Sequence, residues 1–394
     1  MADLPYSSKD KIWNRPAFRS MFFQVLILSI VLVTGWWLFT TTVYNLQSRG
    51  ISSGFDFLSS TSGFEIDFSL ISFDSSDTNA RVFFVGLINT LLVSVLGIFF
   101  ATIIGVVIGV ARLSNNWIVS KLATIYIEIF RNIPLLLQIF FWYFAVLGAL
   151  PVIREAMRNG FFNNTVFLSN RGLIMPKPIL ESGFVWVWVA LVLAIVVVML
   201  YRRYAKKKQE RTGIQLPILS VSICIIIALP IVALVLTNFP VVFDVPQVGR
   251  FNMKGGLTII PEFLALLFAL SIYTGAFIAE IVRAGINSVS HGQTEAAHSL
   301  GIKPSLTLRL IIIPQALRVI IPPLASQYLN LAKNSSLATA IAYPELVSLS
   351  ETVQTNVGHA LECVAIIMVA YLTISLSIAA FMNWYNKRIA LVER

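Results

Sequence analysis

Charged side chains are scarce in this sequence of 394 residues, in which Asp, Glu, Lys and Arg together make up 12%. A soluble domain typically carries about 25% charged residues. Hydrophobic residues reach 57%, and they are concentrated in long uninterrupted runs. This composition excludes an ordinary soluble globular protein and is typical of a protein that spans a membrane.

Cysteine and histidine are also rare, with two and three residues in the chain. Cys224 and Cys363 fall inside apolar runs, where we interpret them as small buried hydrophobic residues and not as a disulfide or a metal site. His291, His298 and His359 match no metal-ligand spacing such as HExxH. The sequence therefore predicts no metal site, and we find no convincing pair of catalytic residues.

The net charge of +10 does not indicate nucleic-acid binding, because the basic residues flank apolar runs and form no patch interleaved with aromatics. We interpret them as markers of membrane topology. With the N-terminus inside, the densest basic cluster lies in the cytoplasm and the acidic loop 44–81 lies outside. The loop 149–180, which carries four cations, fits this topology least well. The predicted cytoplasmic segments are 1–20, 112–121, 202–215, 283–310 and 386–394.

Eight apolar runs are long enough to span a bilayer, which takes about 20 residues. Because lipid satisfies no open backbone groups, these runs must be helices. The predicted fold is an all-α polytopic membrane bundle of eight helices with both termini in the cytoplasm. The eight predicted spans are 21–43, 82–111, 122–148, 184–201, 216–237, 257–282, 311–333 and 360–385.

The N-terminal end of the chain contains an apolar run and a loop. The apolar run 21–43 is longer than a signal-peptide core and precedes no small-residue cleavage site, so we expect a retained transmembrane helix. The loop 44–81 alternates turn residues with aromatics. Either an ordered external cap or a flexible linker is compatible with that pattern.

The stretch SHGQTEAAHSLGIKPSLTLRLIIIP (290–314) interrupts the apolar runs on the predicted cytoplasmic side. Ser290 and Gln293 fit a capping box at the start of a short helix. Gly301 then fits the left-handed position after a helix end, and Pro304 fits the first turn of a second helix. Spacing alone is equally compatible with an amphipathic connector at the membrane surface.

The same stretch resembles the EAA signature of permease subunits of bacterial ABC importers. It reads Glu295-Ala296-Ala297, then Gly301, and ends in Ile311 and Ile313-Pro314, with Ile where Leu is usual. Further segments resemble the polar-amino-acid uptake branch of this family, over residues 82–148 and 257–391. The segments that carry the resemblance are GLINTLLVSVLGIFFATIIGVVIGVARLS, YIEIFRNIPLLLQIFFWYF, YTGAFIAEIVRAGINSVSHGQTEAA and IPQALRVIIPPLASQYLNLAKNSSLATAIAYPEL.

The resemblance implies a permease subunit and its partners. Glu295, Ala296, Ala297 and Gly301 would form the coupling helix, which docks on a dimer of ATP-hydrolysing subunits. ATP and Mg²⁺ would bind those subunits, which agrees with the absence of a GxxxxGK[ST] phosphate loop in this chain. An external amino-acid-binding protein would deliver the substrate. The protein is expected in the bacterial inner membrane, and no cofactor of its own is expected.

The chain is longer than the five-helix permeases that it resembles. We expect an N-terminal part, 1–81, with a transmembrane helix and an external loop. The permease domain would occupy 82–394, with two extra helices inserted at about 149–256. This length resembles the long permease of the general L-amino-acid uptake system, which would pair with a second, different permease as a heterodimer.

Polar residues inside the spans are the candidates for a substrate path. Pro314, Pro322 and Pro323 are expected to free backbone groups in the span 311–333. The family has a Lys-Asp-Thr-Ser type of stretch where this chain has Lys333-Asn334-Ser335-Ser336, so an acid is missing that would favour cationic amino acids. Lys333 equally fits a side chain that reaches the lipid headgroups. The candidate path residues are Gln138, Gln327, Asn330, Lys333, Asn334 and Ser335.

Other polar and small residues within the spans suit a structural role. The spacing of Glu128, Arg131 and Gln138 predicts one helical face with an ion pair at its inner end. Asn89 and Thr90 fit interhelical hydrogen bonds, and Glu280 with Arg283 fits a brace before the loop. Four small residues repeat every four positions and predict close helix packing: Gly97, Ala101, Gly105 and Gly109.

An ion-coupled secondary transporter is the alternative function. The prolines of the span 311–333 would suit it, but it leaves the EAA-like loop without a purpose. Such a transporter would work alone on an ion gradient, whereas a permease subunit requires a separate ATPase.

Overall fold

The computed structural model describes residues 16–48, 54–158, 160–162, 164–249 and 253–389. Long apolar helices dominate it, as the composition predicts. The α-helices, in chain order, are α1 Pro16–Ser48, α2 Asn79–Arg112, α3 Trp117–Asn132, α4 Leu135–Phe140, α5 Ile153–Ala156, α6 Val185–Thr212, α7 Ile218–Leu236, α8 Pro261–Asn287, α9 His291–Ser299, α10 Pro304–Thr307, α11 Ile313–Asn334, α12 Leu346–Val357 and α13 Ala360–Ile389.

Seven helical stretches in the described residues are long and apolar enough to cross a membrane, and a bent pair makes an eighth. The predicted membrane bundle of about eight spans is therefore confirmed. The side of the membrane on which each terminus lies stays a prediction, as do the domain boundaries at 81 and 82. The first fifteen residues of the predicted cytoplasmic segment 1–20 and the chain end after 389 lie outside the described residues.

The predicted span 122–148 is not one straight helix. α3 ends at Asn132, and the chain turns by 106° before α4, which continues as a π-helix over Phe141–Leu147. Pro134 is the physical reason, since it restricts the residue before it to extended conformations. Ile133 is indeed extended, with φ −93° and ψ 126°. The prediction of an uninterrupted span was wrong because it counted apolar residues without this restriction.

The insertion contains short strands that the all-α prediction did not include. β1 (Phe167–Ser169), β2 (Gly172–Met175) and β7 (Leu257–Ile259) form one antiparallel sheet in that order. Two-stranded ribbons accompany it: β3 (Lys177–Leu180) with β4 (Val241–Asp244), and β5 (Gln247–Val248) with β6 (Met253–Lys254). The two predicted extra helices, α6 and α7, are present and pack along each other.

The described residues divide into two compact units, those within 16–92 with 344–387 and those within 93–343 with 388–389. In the first unit, the described loop residues 54–78 fold onto α12 and onto the N-terminal parts of α2 and α13. Hydrogen bonds hold this loop: Asn79 Nδ2 donates to the carbonyl of Phe57, and Asn89 Nδ2 donates to the carbonyls of Phe68 and Pro344. The loop is therefore an ordered cap. Its core comprises Phe57, Val82, Phe83, Val85, Leu346, Leu349, Val353 and Cys363.

In the same unit, Thr90 of α2 accepts a hydrogen bond from the backbone N–H of Leu346 of α12, so the expected interhelical role of this hydroxyl is confirmed. The backbone N–H of Ser76 donates to the carboxylate of Asp74 and holds the pKa of that carboxyl below its usual range. The buried Cys363 also agrees with the prediction. Cys224, however, is exposed on α7, because a span can present apolar residues to lipid as well as to a core.

In the second unit, small residues of α2 allow close helix packing, as predicted. A Cβ on Gly105 would lie 2.4 Å from Cγ2 of Ile278, and one on Gly109 would lie 2.7 Å from the carbonyl oxygen of Ala279. α8 is the most deeply buried of the candidate spans, since 67% of an apolar stretch of 18 residues in it lies inside the protein. The C-terminal half of α2 and the length of α8 thus form the packed centre of this unit.

Candidate functional site

The EAA-like stretch forms a short helix, α9, that begins where the sequence predicts. Ser290 is its N-cap, and the Ser290 hydroxyl accepts a hydrogen bond from the backbone N–H of Gly292. The reciprocal capping box with Gln293 was wrong in detail. The Gln293 side chain instead accepts a hydrogen bond from Gln315 Nε2 of α11, at 3.4 Å.

The end of α9 is a Schellman turn. The backbone N–H of Gly301 donates to the carbonyl of His298, and the N–H of Ile302 donates to the carbonyl of Ala297. Gly301 has φ +71°, a conformation that glycine adopts without a steric penalty. Pro304 then opens α10 in its first turn. The local structure predicted for Gly301 and Pro304 is confirmed.

The side chains of the signature divide between two faces of α9. Ala297 is 2% exposed and faces inward, whereas Glu295 and Ala296 are exposed. Leu300, at the end of the helix, is 79% exposed. A carboxylate, a small side chain and a large apolar one therefore lie together on an open surface, which is an arrangement suited to contact with another protein.

The spans that precede and follow α9 in the chain pack against each other. Gly285, near the end of α8, lies directly against Ile320 and Ala316 of α11. α9 itself packs against α10 and the π-helical turn Leu308–Ile312, which leads into α11. The described packing of α9 is therefore on the side that leads into α11.

An ionic network lies near the C-terminal end of α8. Glu280 accepts three hydrogen bonds from Nε and Nη2 of Arg283, the shortest 2.6 Å long, and is also paired with Arg112 of α2. The expected brace of Glu280 and Arg283 is thus present, but the sequence analysis missed Arg112. Its position at the end of the predicted span 82–111 was the available signal, since helices that pack closely bring their ends together.

The predicted face of Glu128, Arg131 and Gln138 does not exist, because the bend at Pro134 separates Gln138 from the other two. Arg131 lies 5.2 Å from the ring centre of Phe277 in a cation–π contact. Glu128 accepts a hydrogen bond from Asn132. The expected ion pair of Glu128 and Arg131 is wrong for a different reason: both residues lie on α3, but Arg131 contacts Phe277 and Glu128 contacts Asn132 instead.

Gln138 is buried beside the bend. Its Nε2 donates to the carbonyls of Phe130 and Ile133, at 3.0 and 2.9 Å. These are carbonyls at the C-terminal end of α3, which an uninterrupted helix would have satisfied. In the part of the chain that the structure describes, Gln138 Oε1 has no hydrogen-bond partner. The donor half of this amide thus stabilises the bend, and the acceptor half remains available.

The other candidate path residues lie on α11 and just after it. Asn330 and Lys333 are exposed, Gln327 and Asn334 are half-buried, and Ser335 is fully buried. The Ser335 hydroxyl donates to the carbonyl of Ala332. Gln327, Asn330 and Asn334 follow a helical spacing of three and four, so they lie on one face.

A further carboxylate, that of Glu262, lies in the same unit as the candidate path residues. Glu262, in the first turn of α8, accepts a hydrogen bond of 2.8 Å from the hydroxyl of Tyr143 in the π-helix Phe141–Leu147. The sequence analysis did not select either residue. A single carboxylate at the start of an apolar span was the signal that pointed to Glu262.

Metal chemistry receives no support from the described residues, among which no three His, Cys, Asp or Glu side chains lie close enough to hold an ion.

Known proteins match both the loop and the chain around it. A family model described as "Binding-protein-dependent transport system inner membrane component" matches residues 214–391. Three relatives cover almost the whole chain. The General L-amino acid transport system permease protein AapQ of Rhizobium johnstonii is 50% identical over 379 residues, which is 96% of this chain and 94% of that protein.

The other two relatives are similar in coverage. The Putative amino-acid ABC transporter permease protein YhdX of Escherichia coli K12 is 54% identical over 381 residues and 96% of each chain. The Glutamate/glutamine/aspartate/asparagine transport system permease protein BztB of Rhodobacter capsulatus is 44% identical over 406 residues, 96% of this chain and 95% of that protein.

These matches define the class: the chain is a membrane permease subunit of a binding-protein-dependent ABC importer. Within that class it belongs to the polar-amino-acid branch, in agreement with the resemblance of residues 82–148 and 257–391. It is a multi-pass protein of the bacterial inner membrane and a transport subunit, not the ATPase. An ion-coupled secondary transporter is thereby set aside.

Proposed function

We propose that this chain and a second, different permease form the translocation path of an ATP-driven L-amino-acid importer. The relatives' names support this substrate class, since they refer to general L-amino acids and to glutamate, glutamine, aspartate and asparagine. An external binding protein delivers the substrate. A dimer of ATPase subunits binds ATP and Mg²⁺ on the other side.

The surface of α9 is the observation that carries the proposal. Glu295, Ala296 and Leu300 are exposed, whereas the inward Ala297 and the Schellman turn at Gly301 fix the helix to its supports. When ATP closes the motor subunits, α9 moves with them. The attachments of α9 to α8 and α11 then transmit this movement to the spans.

The face of α11 supports a path along that helix. Within the described residues the amides of Gln327, Asn330 and Asn334 have no hydrogen-bond partner, and Lys333 is exposed beside them. Uncompensated polar groups are costly in lipid. This face therefore lines an aqueous path or meets the second permease, and its donors and acceptors suit the carboxylate and ammonium of an amino acid.

Copurification with the ATPase tests the coupling role. Glu295→Lys is expected to abolish ATPase binding and ATP-driven uptake while the protein still inserts into the membrane. Glu210→Lys, the same change at an exposed position of α6, is the matched control and should retain both. Normal uptake by Glu295→Lys would contradict the coupling role. Uptake by the purified chain alone on an ion gradient would contradict the importer itself.

A further inference from the structure

The inserted helix α6 carries a dense group of positive charges at its C-terminal end. The group consists of Arg202, Arg203, Lys206, Lys207, Lys208 and Arg211. Glu210 is the single acid among them, and its Oε1 lies 4.0 Å from Lys206 Nζ with both side chains largely exposed. An exposed pair of this kind neutralises little. The end of α6 is therefore strongly cationic.

These cations continue the lipid-facing surface of α6. Val192, Val196 and Met199 form an exposed apolar row at helical spacing, and Arg203 and Lys207 are the next members of that row. Arg202 and Lys206 are exposed on the strip of the helix surface beside this row. The opposite face, with Ala194, Val198 and Ala205, is buried. The charges thus lie where the helix surface leaves the hydrocarbon.

The length of the helix places the charges at headgroup depth. From Val185 to Tyr201, α6 is free of charge and about 25 Å long, and the turn Ser182–Phe184 adds about 5 Å. Together they match the hydrocarbon core of about 30 Å. The headgroup layer beyond it is roughly 5–8 Å thick. Arg202, Arg203, Lys206 and Lys207 fall within about 10 Å of the boundary.

Aromatic side chains mark both boundaries of this span. Trp186 and Trp188 are exposed near the start of α6, and Tyr204 is exposed among the cations with Lys208 Nζ 6.0 Å from its ring centre. Trp and Tyr are typical of membrane interfaces. The span is therefore fixed at both ends, and its charged end faces the headgroups.

We propose that the C-terminal end of α6 is a binding surface for anionic phospholipid headgroups, and that the inserted hairpin α6–α7 anchors the permease in an anionic leaflet. Arg and Lys side chains at four positions donate to the phosphates. Each cation near an anionic surface strengthens the attraction by about fivefold. This inference does not depend on the substrate or on the coupling role of α9.

Spin-label spectroscopy of the purified full chain in phosphatidylcholine vesicles tests the proposed binding of anionic headgroups. The measured quantity is the association constant of spin-labelled phosphatidylglycerol relative to phosphatidylcholine. The wild-type chain should prefer phosphatidylglycerol, and 1 M salt should largely remove the preference. Combining Arg202→Gln, Arg203→Gln, Lys206→Gln and Lys207→Gln should weaken it by about tenfold or more.

Three variants control for charge and folding. Lys121→Gln, Arg154→Gln, Lys254→Gln and Arg309→Gln together remove the same charge from scattered exposed positions and should have a much smaller effect. Arg202→Lys with Arg203→Lys should retain the preference. Glu210→Gln should strengthen it, which keeps the test decisive even if the fourfold variant does not fold.

Two results would overturn the proposal. One is a wild-type preference for phosphatidylglycerol in the fourfold variant, which would assign this surface to a protein partner if ATPase copurification is lost at the same time. The other is an unchanged preference in Glu210→Gln.

Discussion

Gly285 of α8 and Ile320 of α11 pack so closely that a Cβ on Gly285 would lie 2.2 Å from Cγ1 of Ile320. The pair joins the helix that precedes α9 to the helix that follows it. Ile320 is buried, and the carbonyl oxygen of Ala316 lies 3.3 Å from the same Cβ position. Any side chain at position 285 therefore has to displace a packed neighbour.

Gly285→Ala is expected to destabilise the protein by about 1–3 kcal/mol, the usual cost of overpacking. Thermal unfolding in detergent measures the effect. Gly292→Ala is the matched control, because the nearest atom to its Cβ, Ser290 Oγ, lies at 3.6 Å. Adding Ile320→Ala should recover part of the loss. Equal stability of Gly285→Ala and Gly292→Ala would contradict the close contact.

The turn at Gly301 allows backbone and surface effects to be separated. A Cβ at Gly301 would meet no atom within 4 Å, so only its positive φ restricts substitution. Gly301→Asn should retain ATP-driven uptake because Asn tolerates this conformation. Gly301→Asp, which has nearly the same shape, should abolish uptake because it adds a charge to the coupling surface.

Uptake into vesicles and the amount of protein in the membrane are measured together for both Gly301 variants. Gly301→Val should lose about 1–2 kcal/mol through backbone strain. If Gly301→Asn is as inactive as Gly301→Asp despite normal insertion, the surface charge is not the cause.

The sequence predicts those parts of the fold that depend on local chemistry. Span number followed from apolar length, and the form of α9 followed from Ser290, Gly301 and Pro304, because caps and turns are set by adjacent residues. The bend at Pro134 was equally local and was missed only because hydropathy dominated the interpretation. The partner of Gln293 was not predictable, since Gln315 reaches it only after α11 has packed beside α9.

Contacts between distant segments account for the remaining differences. The ordered cap over 54–78 depends on carbonyls of Phe57 and Phe68 reaching Asn79 and Asn89. The strands of the insertion pair segments on either side of α6 and α7, and β2 with β7 is one example. Short segments of three or four residues carry too little periodicity to reveal such pairing.

A substitution of Gln138 distinguishes two roles of its side chain, namely stabilising the bend and contacting the substrate. Gln138→Met removes both donors and leaves the carbonyls of Phe130 and Ile133 unsatisfied, so the expected loss is about 1–3 kcal/mol. Thermal unfolding measures it. Gln327→Met, at a half-buried amide, should change stability less. A raised KM for uptake with unchanged stability in Gln138→Met would show that substrate contact is the main role.

The network around Glu280 predicts strong coupling between α2 and α8. Glu280→Gln leaves Arg112 and Arg283 without their carboxylate. Because the three side chains are 20–32% exposed, the expected loss is only about 1–3 kcal/mol. In a double-mutant cycle, Arg112→Gln with Glu280→Gln should cost at least about 0.5 kcal/mol less than the two single losses combined. Strictly additive losses would mean that the pair does not connect the helices.

Asn334 offers the sharpest test of the path along α11. The family resemblance implies an acid at this position in related permeases, and the half-buried amide of Asn334 follows Asn330 and Gln327 on one helical face. Asn334→Asp adds a negative charge with almost no change of shape, so it should attract the second positive charge of a cationic amino acid. The measurement is competition by lysine or arginine against glutamine uptake in vesicles that contain the complete importer.

An increase of about fivefold or more in the relative uptake of lysine, equivalent to roughly 1 kcal/mol, is expected for Asn334→Asp. Glu351→Gln, a change of the same magnitude at an exposed position of α12, should leave the ratio unchanged. Lys333 precedes position 334 in the chain, so its ammonium should weaken the attraction of the new carboxylate for a cationic amino acid. Removing that ammonium with Lys333→Gln in the Asn334→Asp background should increase the preference further. An unaltered lysine-to-glutamine ratio in both variants would place the substrate away from this end of α11.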